Sequence, residues 1–466
     1  MASLLPRKEL ATLKAWAVRP GRKPLVIRGA RQVGKSTLVR QFAAESGMDL
    51  LVVNFERNPE LRQPFTSRNP AEILASLQLL VGAKISPGKT LLFLDEIQAA
   101  PEALAALRYF HEERPDLHLL AAGSLLEFTL AEAEFSMPVG RIEYMHLGVM
   151  SFSDFLRSRG QEMLADYLQK ISVSDIRKSA LLPAVHDKCM VMLRQYWITG
   201  GLPEAVALFA HTGDFSEVAR IQQNIVATYR DDFHKYAARS SSKALVQMIF
   251  DQLPVMVGRK FSYAQVSHDH RAAELAAALQ QLCLARIAYK VFHSSANGIP
   301  LAAEANIRHF KTIYLDIGLM CAALKVNLND LHRSDVTLIN EGALAEQFIG
   351  QHLLYGGNDY EAPELFYWVR EARTAAAEID YLMTCGQQIV PVEIKAGTTG
   401  TLKSLHQFLK EKNRHFALRF NADLPSLLGD AKKHTDGSVV DYELLSLPLY
   451  MVEQAPRLVK EILCPG

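Results

Sequence analysis

Apolar residues Leu10, Leu13 and Trp16 recur at helical spacing and predict a helix within residues 1–20. From 24 to 147 short apolar runs alternate with amphipathic stretches. Pro24-Leu25-Val26-Ile27 reads as a strand, followed by a glycine-rich turn and a helix from about Lys35. Leu50 to Phe55 reads as a second strand, with a helix after it over roughly 71–82. Leu91-Leu92-Phe93-Leu94 is a third, apolar at every position, as a parallel strand covered on both faces requires. Pro101 opens a helix with Leu104, Leu107 and Phe110 on one side. Leu117 to Ala122 is a fourth strand and Ile142 to Leu147 a candidate fifth. Strands that alternate with helices predict an α/β unit built on a parallel sheet.

After about residue 150 the pattern is helical up to about 310, with its sharpest break at Gly200-Gly201-Leu202-Pro203. Residues 240–292 have the order of a winged helix: helices near 243–255 and 271–284, then a wing strand from Arg286 to Phe292. From about 340 the α/β pattern returns. A helix is expected over 341–354, and strands over 365–369, 376–383 and 388–394. The expected division is 1–150, 151–238, 239–325 and 326–466.

The chain has 466 residues, too many for one compact core. Hydrophobic residues at 49% and charged residues at 22% are those of a globular protein. A net charge of +1 gives no global attraction to nucleic acid or membrane, and leaves a local basic face open. The N-terminus lacks the apolar stretch of a signal peptide, and no apolar run is long enough to span a membrane. Cys189, Cys283, Cys321, Cys385 and Cys464 stand far apart, which argues against a zinc site or a disulfide framework. A cytoplasmic protein with reduced thiols and no membrane partner is the reading.

Gly29-Ala30-Arg31-Gln32-Val33-Gly34-Lys35-Ser36, followed by Thr37, has the spacing of a phosphate-binding loop between a strand and a helix. Its glycines let backbone N–H groups face phosphate, Lys35 supplies positive charge, and the Ser36 hydroxyl suits Mg2+. At the end of the third strand, Asp95 would complete the magnesium shell and Glu96 would activate water. Asp95 as a plain helix cap is the alternative. Ser124, at the end of the fourth strand, suits the γ-phosphate or the water, or is a simple turn residue. Arg141, after Gly140, is the candidate arginine finger; Arg108 and Arg114 are alternatives, as is a surface role. ATP and Mg2+ are the expected ligands, since no Asn-Lys-x-Asp guanine-reading motif occurs.

These motifs, with Leu94-Asp-Glu-Ile-Gln98, Ala122-Gly-Ser124 and Gly140-Arg141, resemble the bacterial and archaeal AAA-superfamily P-loop ATPases with a nuclease-like C-terminal domain. Further matches are Met150-Ser-Phe-Ser-Asp-Phe155, Gly200-Gly-Leu-Pro-Glu204, Lys311-Thr-Ile-Tyr-Leu-Asp-Ile-Gly318 and Glu393-Ile-Lys395, in the family's order along nearly the whole chain. The resemblance implies an AAA-type ATPase core, a helical and winged-helix middle, and a restriction-endonuclease-like end. A homo-oligomer is one expectation for such machines.

Such nucleases hold a divalent metal with two carboxylates and place a lysine near the attacking water. Asp380 and Glu393 would share the metal, Lys395 would steady hydroxide, and Glu346 from the preceding helix would add a third acid, with Glu378 assisting. Ordinary cross-strand ion pairs, or a nuclease fold that no longer cleaves, are the alternatives. Tyr367, Trp368 and Arg370 suit stacking on bases, or are simply core and rim residues of a strand. The helix over 271–284 is alanine-rich with one basic residue, unlike a DNA-reading helix, so a structural role is favoured there. Arg259-Lys260 and Arg308-His309-Phe310-Lys311 are the more basic places for a nucleic-acid contact.

Overall fold

The computed structural model describes residues 5–131, 140–236, 243–326, 341–370, 377–397, 402–433 and 439–464. Among them the named strands form two sheets.

The first sheet contains β1 (Leu25–Arg28), β2 (Asp49–Asn54), β3 (Thr90–Asp95), β4 (His118–Gly123) and β5 (Glu143–His146), in the order β2-β3-β4-β1-β5 and wholly parallel. Alternate residues face opposite layers: Leu25, Ile27, Leu91, Phe93 and Leu120 on one side, Val26, Leu92, Leu94 and Leu119 on the other. The first face is covered by α1 (Glu9–Val18) and α2 (Lys35–Ser46), the second by α3 (Pro70–Val81) and α4 (Pro101–Glu113). A short α5 (Leu126–Ala131) follows β4. Because β1 lies between β4 and β5 while the chain next crosses to β2, a crevice forms beyond the carboxyl end of β1, where ligands bind in open α/β sheets.

The helical middle comprises α6 (Phe152–Ser158), α7 (Glu162–Lys170), α8 (Val173–Arg177), α9 (Pro183–Thr199), α10 (Pro203–Thr212) and α11 (Phe215–Tyr236). Then come α12 (Lys243–Met256), α13 (Tyr263–Val266), α14 (Ala272–Leu284), strands β6 (Ala288–Ser294) and β7 (Ala305–Tyr314), and α15 (Ile317–Ala323). The alanine-rich α14 turns Leu275, Ala278, Leu279 and Leu282 into the core. Its small residues serve close packing against its neighbours.

The last part contains α16 (Glu341–Leu354), β8 (Phe366–Val369), β9 (Glu378–Cys385), β10 (Gln388–Ile394), α17 (Lys403–Lys412), β11 (Phe416–Asn421), β12 (Ser426–Lys433), β13 (Val439–Pro448) and α18 (Ala455–Leu463). These strands form a mixed sheet with β6 and β7, in the order β12-β13-β11-β10-β9-β8-β6-β7. The link is a parallel pairing of Phe292 and His293 with Phe366 and Tyr367. This sheet therefore crosses the division expected at 325/326.

One buried apolar cluster runs from α1 and β1 through the helical middle to one face of the second sheet. A polar junction lies within it. The carboxylate of Asp316 accepts the Gly201 N–H at 2.7 Å and caps α15 through Leu319 N–H at 3.0 Å. Gly200 sits at φ +73°, and a Cβ there would collide with the Asp316 carboxylate. The Gly201 carbonyl accepts Met150 N–H at 2.7 Å, and Tyr196 donates to the Met150 carbonyl at 2.6 Å. The sequence motifs at 150, 200 and 316 thus meet at one place. Among the described residues no helix is long and apolar enough to cross a membrane.

Candidate functional site

The loop between β1 and α2 curls at the mouth of the crevice. Gln32 and Gly34 take positive φ values of 64° and 92°, so the backbone reverses twice before α2 begins. Gly29 is fixed by crowding, since a Cβ would strike the Leu147 carbonyl beyond β5. Over Gly34 lies Pro203, the first residue of α10; a Cβ on Gly34 would stand 3.1 Å from its Cγ. The N-terminus of α2 points its unpaired N–H groups into the same space.

Lys35 is buried, and its ammonium donates to the carbonyls of Gly29 at 2.9 Å and Ala30 at 2.7 Å. Burial lowers its pKa to about 8, against the raising effect of Glu96 and Asp95. Such an ammonium gains from an added anion. The Ser36 hydroxyl donates to Asp95 at 3.1 Å, and Asn54, on the neighbouring strand, donates to the same carboxylate at 3.1 Å. Burial and the adjacent Glu96 push the Asp95 carboxyl up. A cation would relieve that strain, so Ser36 and Asp95 fit Mg2+, and the loop with Lys35 fits a polyphosphate.

Glu96 sits at a left-handed φ of 52° just past β3. Its Oε2 accepts from the Ser124 hydroxyl at 3.2 Å, the Ser124 N–H at 3.3 Å and Gln98 Nε2 at 2.7 Å. Gly123 makes room for this, because a Cβ there would collide with the Gln98 amide oxygen. Arg31 donates through Nε to the Ser124 hydroxyl at 3.3 Å and forms an ion pair with Asp232 on α11. Tyr229, one turn earlier on α11, donates to the Arg31 carbonyl at 2.9 Å. Gly29, Ala30, Val33 and Thr37 complete the loop and the start of the helix.

Arg141 lies elsewhere. It precedes β5, at the amino end of the sheet, whereas the loop follows the carboxyl end of β1. Its Nε pairs with Glu112 at 2.8 Å, half exposed. Arg108 shares Glu112, and Arg114 pairs with Asp116. Between the two sheets, Glu127 on α5 binds Arg28, the residue before the loop, and Arg286, the residue two before β6.

Residues 21–156 match the model of a family described as an AAA domain. The N-terminal unit thus matches an AAA domain and carries a phosphate-binding loop. Residues 190–330 and 341–444 match two further families, each described as a domain of unknown function. No curated protein matches the sequence. Among solved structures, the Walker-type ATPase of Pyrococcus abyssi aligns over 69% of this chain and 96% of its own, with 14% identity and a TM-score of 0.43. The Aeropyrum pernix ORC2 protein aligns over 71% and 97%, with 15% identity and a TM-score of 0.33. The Thermotoga maritima RuvB Holliday junction branch migration motor aligns over 62% and 90%, with 15% identity and a TM-score of 0.29.

The four residues expected to form a second site also come together. Asp380 on β9 accepts the Ile394 N–H at 2.7 Å, and Lys395 pairs with Glu393 at 2.6 Å. Glu346 on α16 lies 2.9 Å from Lys311 Nζ, and Glu378 pairs with the same ammonium. Lys311 is 1% exposed. This corrects its expected place in a basic patch: the side chain points inward, where a buried ammonium is tolerable because carboxylates surround it. Burial raises Glu346 to about 7 and Asp380 to about 6, while Glu346, Asp380 and Glu378 hold the Lys311 pKa well above its usual range. Both members of the Lys311–Glu346 pair are raised. The lysine shift fits an ion pair, and the carboxyl shift reflects crowding of like charge in a dry site. Among the described residues no group of three or more His, Cys, Asp or Glu side chains is arranged to hold a metal ion. Tyr367 and Trp368 are buried core residues, and Arg370 pairs with Glu411 at 2.5 Å.

Asn54, Gln98, Asp232 and Lys311 escape the motif reading. Asn54 and Gln98 carried a signal, a polar residue closing an apolar strand and the end of Leu-Asp-Glu-Ile-Gln. Lys311 stood in a matched motif and a basic run, and Asp232 in neither, but nothing in the sequence revealed their partners, which are distant along the chain.

Proposed function

We propose that the protein hydrolyses ATP in a Mg2+-dependent reaction and uses turnover to move its helical middle and C-terminal sheet. The observation that carries this is the convergence of Lys35, Ser36, Asp95, Glu96 and Ser124 at the carboxyl ends of β1, β3 and β4. When bound, ATP with Mg2+ supplies the phosphoanhydride and the counter-charge for the transferring phosphoryl group. Lys35 binds the phosphates, and loop N–H groups orient them. Ser36 and Asp95 hold the metal. Ser124 and Gln98 fix Glu96 through Oε2, leaving Oε1 to take a proton from water. Arg141 can serve as a finger only across a boundary between copies, from the far edge of the sheet.

The test is turnover of ATP by the full chain. Lys35→Ala is expected to cost about 100-fold or more, and Glu96→Gln to abolish turnover while preserving nucleotide binding. Hydrolysis that survives both changes defeats the reading.

For the C-terminal sheet the reading is DNA processing at a restriction-endonuclease-like site. The order α16-β8-β9-β10-α17-β11 supports it, as does the meeting of Glu346, Asp380, Glu393 and Lys395. One observation favours a second reading, a switch or interaction protein whose nuclease-like end no longer cleaves: Lys311 already places a fixed cation among the carboxylates. Labelled DNA with Mg2+ or Mn2+, with and without ATP, separates them. Cleavage lost in Asp380→Ala and Lys395→Ala supports the first; none under any metal, with ATP turnover intact, supports the second.

A further inference from the structure

The phosphate-binding loop holds two cationic side chains, and its motif accounts for only one. Lys35 reaches the loop's own carbonyls. Arg31, four residues earlier, points the other way, toward the Glu96–Ser124 pair. Its Nε donates to the hydroxyl that itself donates to Glu96, and its Nη1 pairs with Asp232 on α11. The Asp232 side chain is 8% exposed and that of Arg31 20%. Such a pair is strong enough to fix geometry and still open to an incoming anion. The guanidinium is also close enough to Lys35 to depress the lysine's pKa. It therefore lies within the field of any phosphate that Lys35 holds.

We propose that Arg31 senses the terminal phosphate of bound nucleotide, and that Asp232 is its positioning counter-ion, competing with that phosphate for one guanidinium. The inference rests on the nucleotide-site reading above and adds a regulation to it. Glu96 marks the place of the attacking water, so the γ-phosphate lies on the side where Arg31 donates to Ser124. The β-phosphate lies deeper, toward Lys35 and the helix terminus. An ATP-bound site offers Arg31 a dianionic γ-phosphate, and an ADP-bound site leaves that position empty.

The consequence falls on α11. The Arg31–Asp232 pair and the Tyr229 hydroxyl on the Arg31 carbonyl both tie this helix to the loop. The second engages backbone and is blind to the nucleotide. The first changes partner with it. Loosening the Arg31–Asp232 pair weakens one tie between the loop and α11, so the helical middle has a reason to shift when ATP replaces ADP.

The test is the ratio of affinities for a non-hydrolysable ATP analogue and for ADP, measured by calorimetry on the full chain with Mg2+. Asp232→Asn frees the guanidinium and is expected to raise preference for the analogue about tenfold, with ADP affinity unchanged. Arg31→Gln is expected to lower that preference by a similar factor. In the Arg31→Gln background, Asp232→Asn is expected to change nothing, because it acts through the arginine. A merely structural Asp232 would move both affinities together. An unchanged ratio in Asp232→Asn, or an equal change with and without Arg31, overturns the proposal. Should Asp232→Asn fold poorly, Arg31→Gln and Arg31→Lys carry the same ratio test. Wild-type protein that binds neither nucleotide defeats the nucleotide-site reading itself; binding of both with an indifferent ratio defeats only the sensor.

Discussion

Two buried lysines divide the molecule. Lys35 in the first sheet unit is surrounded by carbonyl oxygens, and burial pulls its pKa down to about 8. Lys311 in the second is surrounded by carboxylates, which hold its pKa well above the usual range. Both lysines are buried, but the ammonium of one donates to neutral carbonyls and that of the other pairs directly with carboxylates. An ammonium among neutral dipoles is an unfinished ion pair and invites an anion. An ammonium among carboxylates is a finished one. The difference separates a lysine that gains from an added anion from one whose charge its own chain already balances.

The largest expected effects come from deleting each lysine. Lys35→Ala should remove ATP turnover yet leave the melting temperature unchanged or higher, since it relieves a desolvated charge. Lys311→Met should do the reverse. It strands buried carboxylates and is expected to cost about 3–5 kcal/mol at pH 8, read by urea denaturation, with ATP turnover surviving. If Lys311→Met is harmless and Lys35→Ala unfolds the protein, the comparison is broken.

A second way to sharpen it is pH. Glu346 and Asp380 are raised to about 7 and about 6, above ordinary carboxyl values. The folded state then holds more protons than the unfolded state between about pH 4 and 7. Their contribution to stability is fully present below the unfolded pKa and is lost as pH rises through 6 and 7. In Lys311→Met that loss should steepen, so the variant should approach wild-type stability near pH 5. A penalty that does not vary with pH would exclude this account.

Nucleotide binding should show the opposite lysine's signature. Lys35 has a lowered pKa, and phosphate restores its charge, so binding takes up a proton above about pH 8. Affinity should fall between pH 8 and 9.5, by up to about tenfold per unit, with proton uptake visible in buffers of different ionisation heat. The smallest effect is at Arg141. Its pair with Glu112 is exposed and screened by solvent, so Arg141→Ala should leave stability unchanged. Any loss of turnover in that variant then reports a contact between copies, and should depend on protein concentration.

The sequence pattern carried the first sheet unit almost entirely. Each of its strands lies within one or two residues of its apolar run, and β3 is buried at every position. That legibility is local: loop, Asp95 and Glu96 sit at strand ends, and strand ends are marked by a change from apolar to polar. The second sheet was half legible. Its strands from 366 to 394 and the acid pattern on them were readable, but the partnership of β6 with β8 was not. Pairing between strands more than 70 residues apart leaves no periodic trace. For the same reason Lys311 read as one of a basic run, when only the fold reveals that α16 and β9 deliver carboxylates to it.

The pairing of Phe292 and His293 with Phe366 and Tyr367 also limits how the chain can be divided. A gene fragment beginning at residue 326 encodes β8 to β13 but omits β6, so it makes a sheet with a bare margin at β8. Such a margin recruits whatever extended backbone is at hand, including its own copies, and precipitation is the usual result. Excision after residue 285 keeps both strands together and gives the C-terminal sheet its full complement.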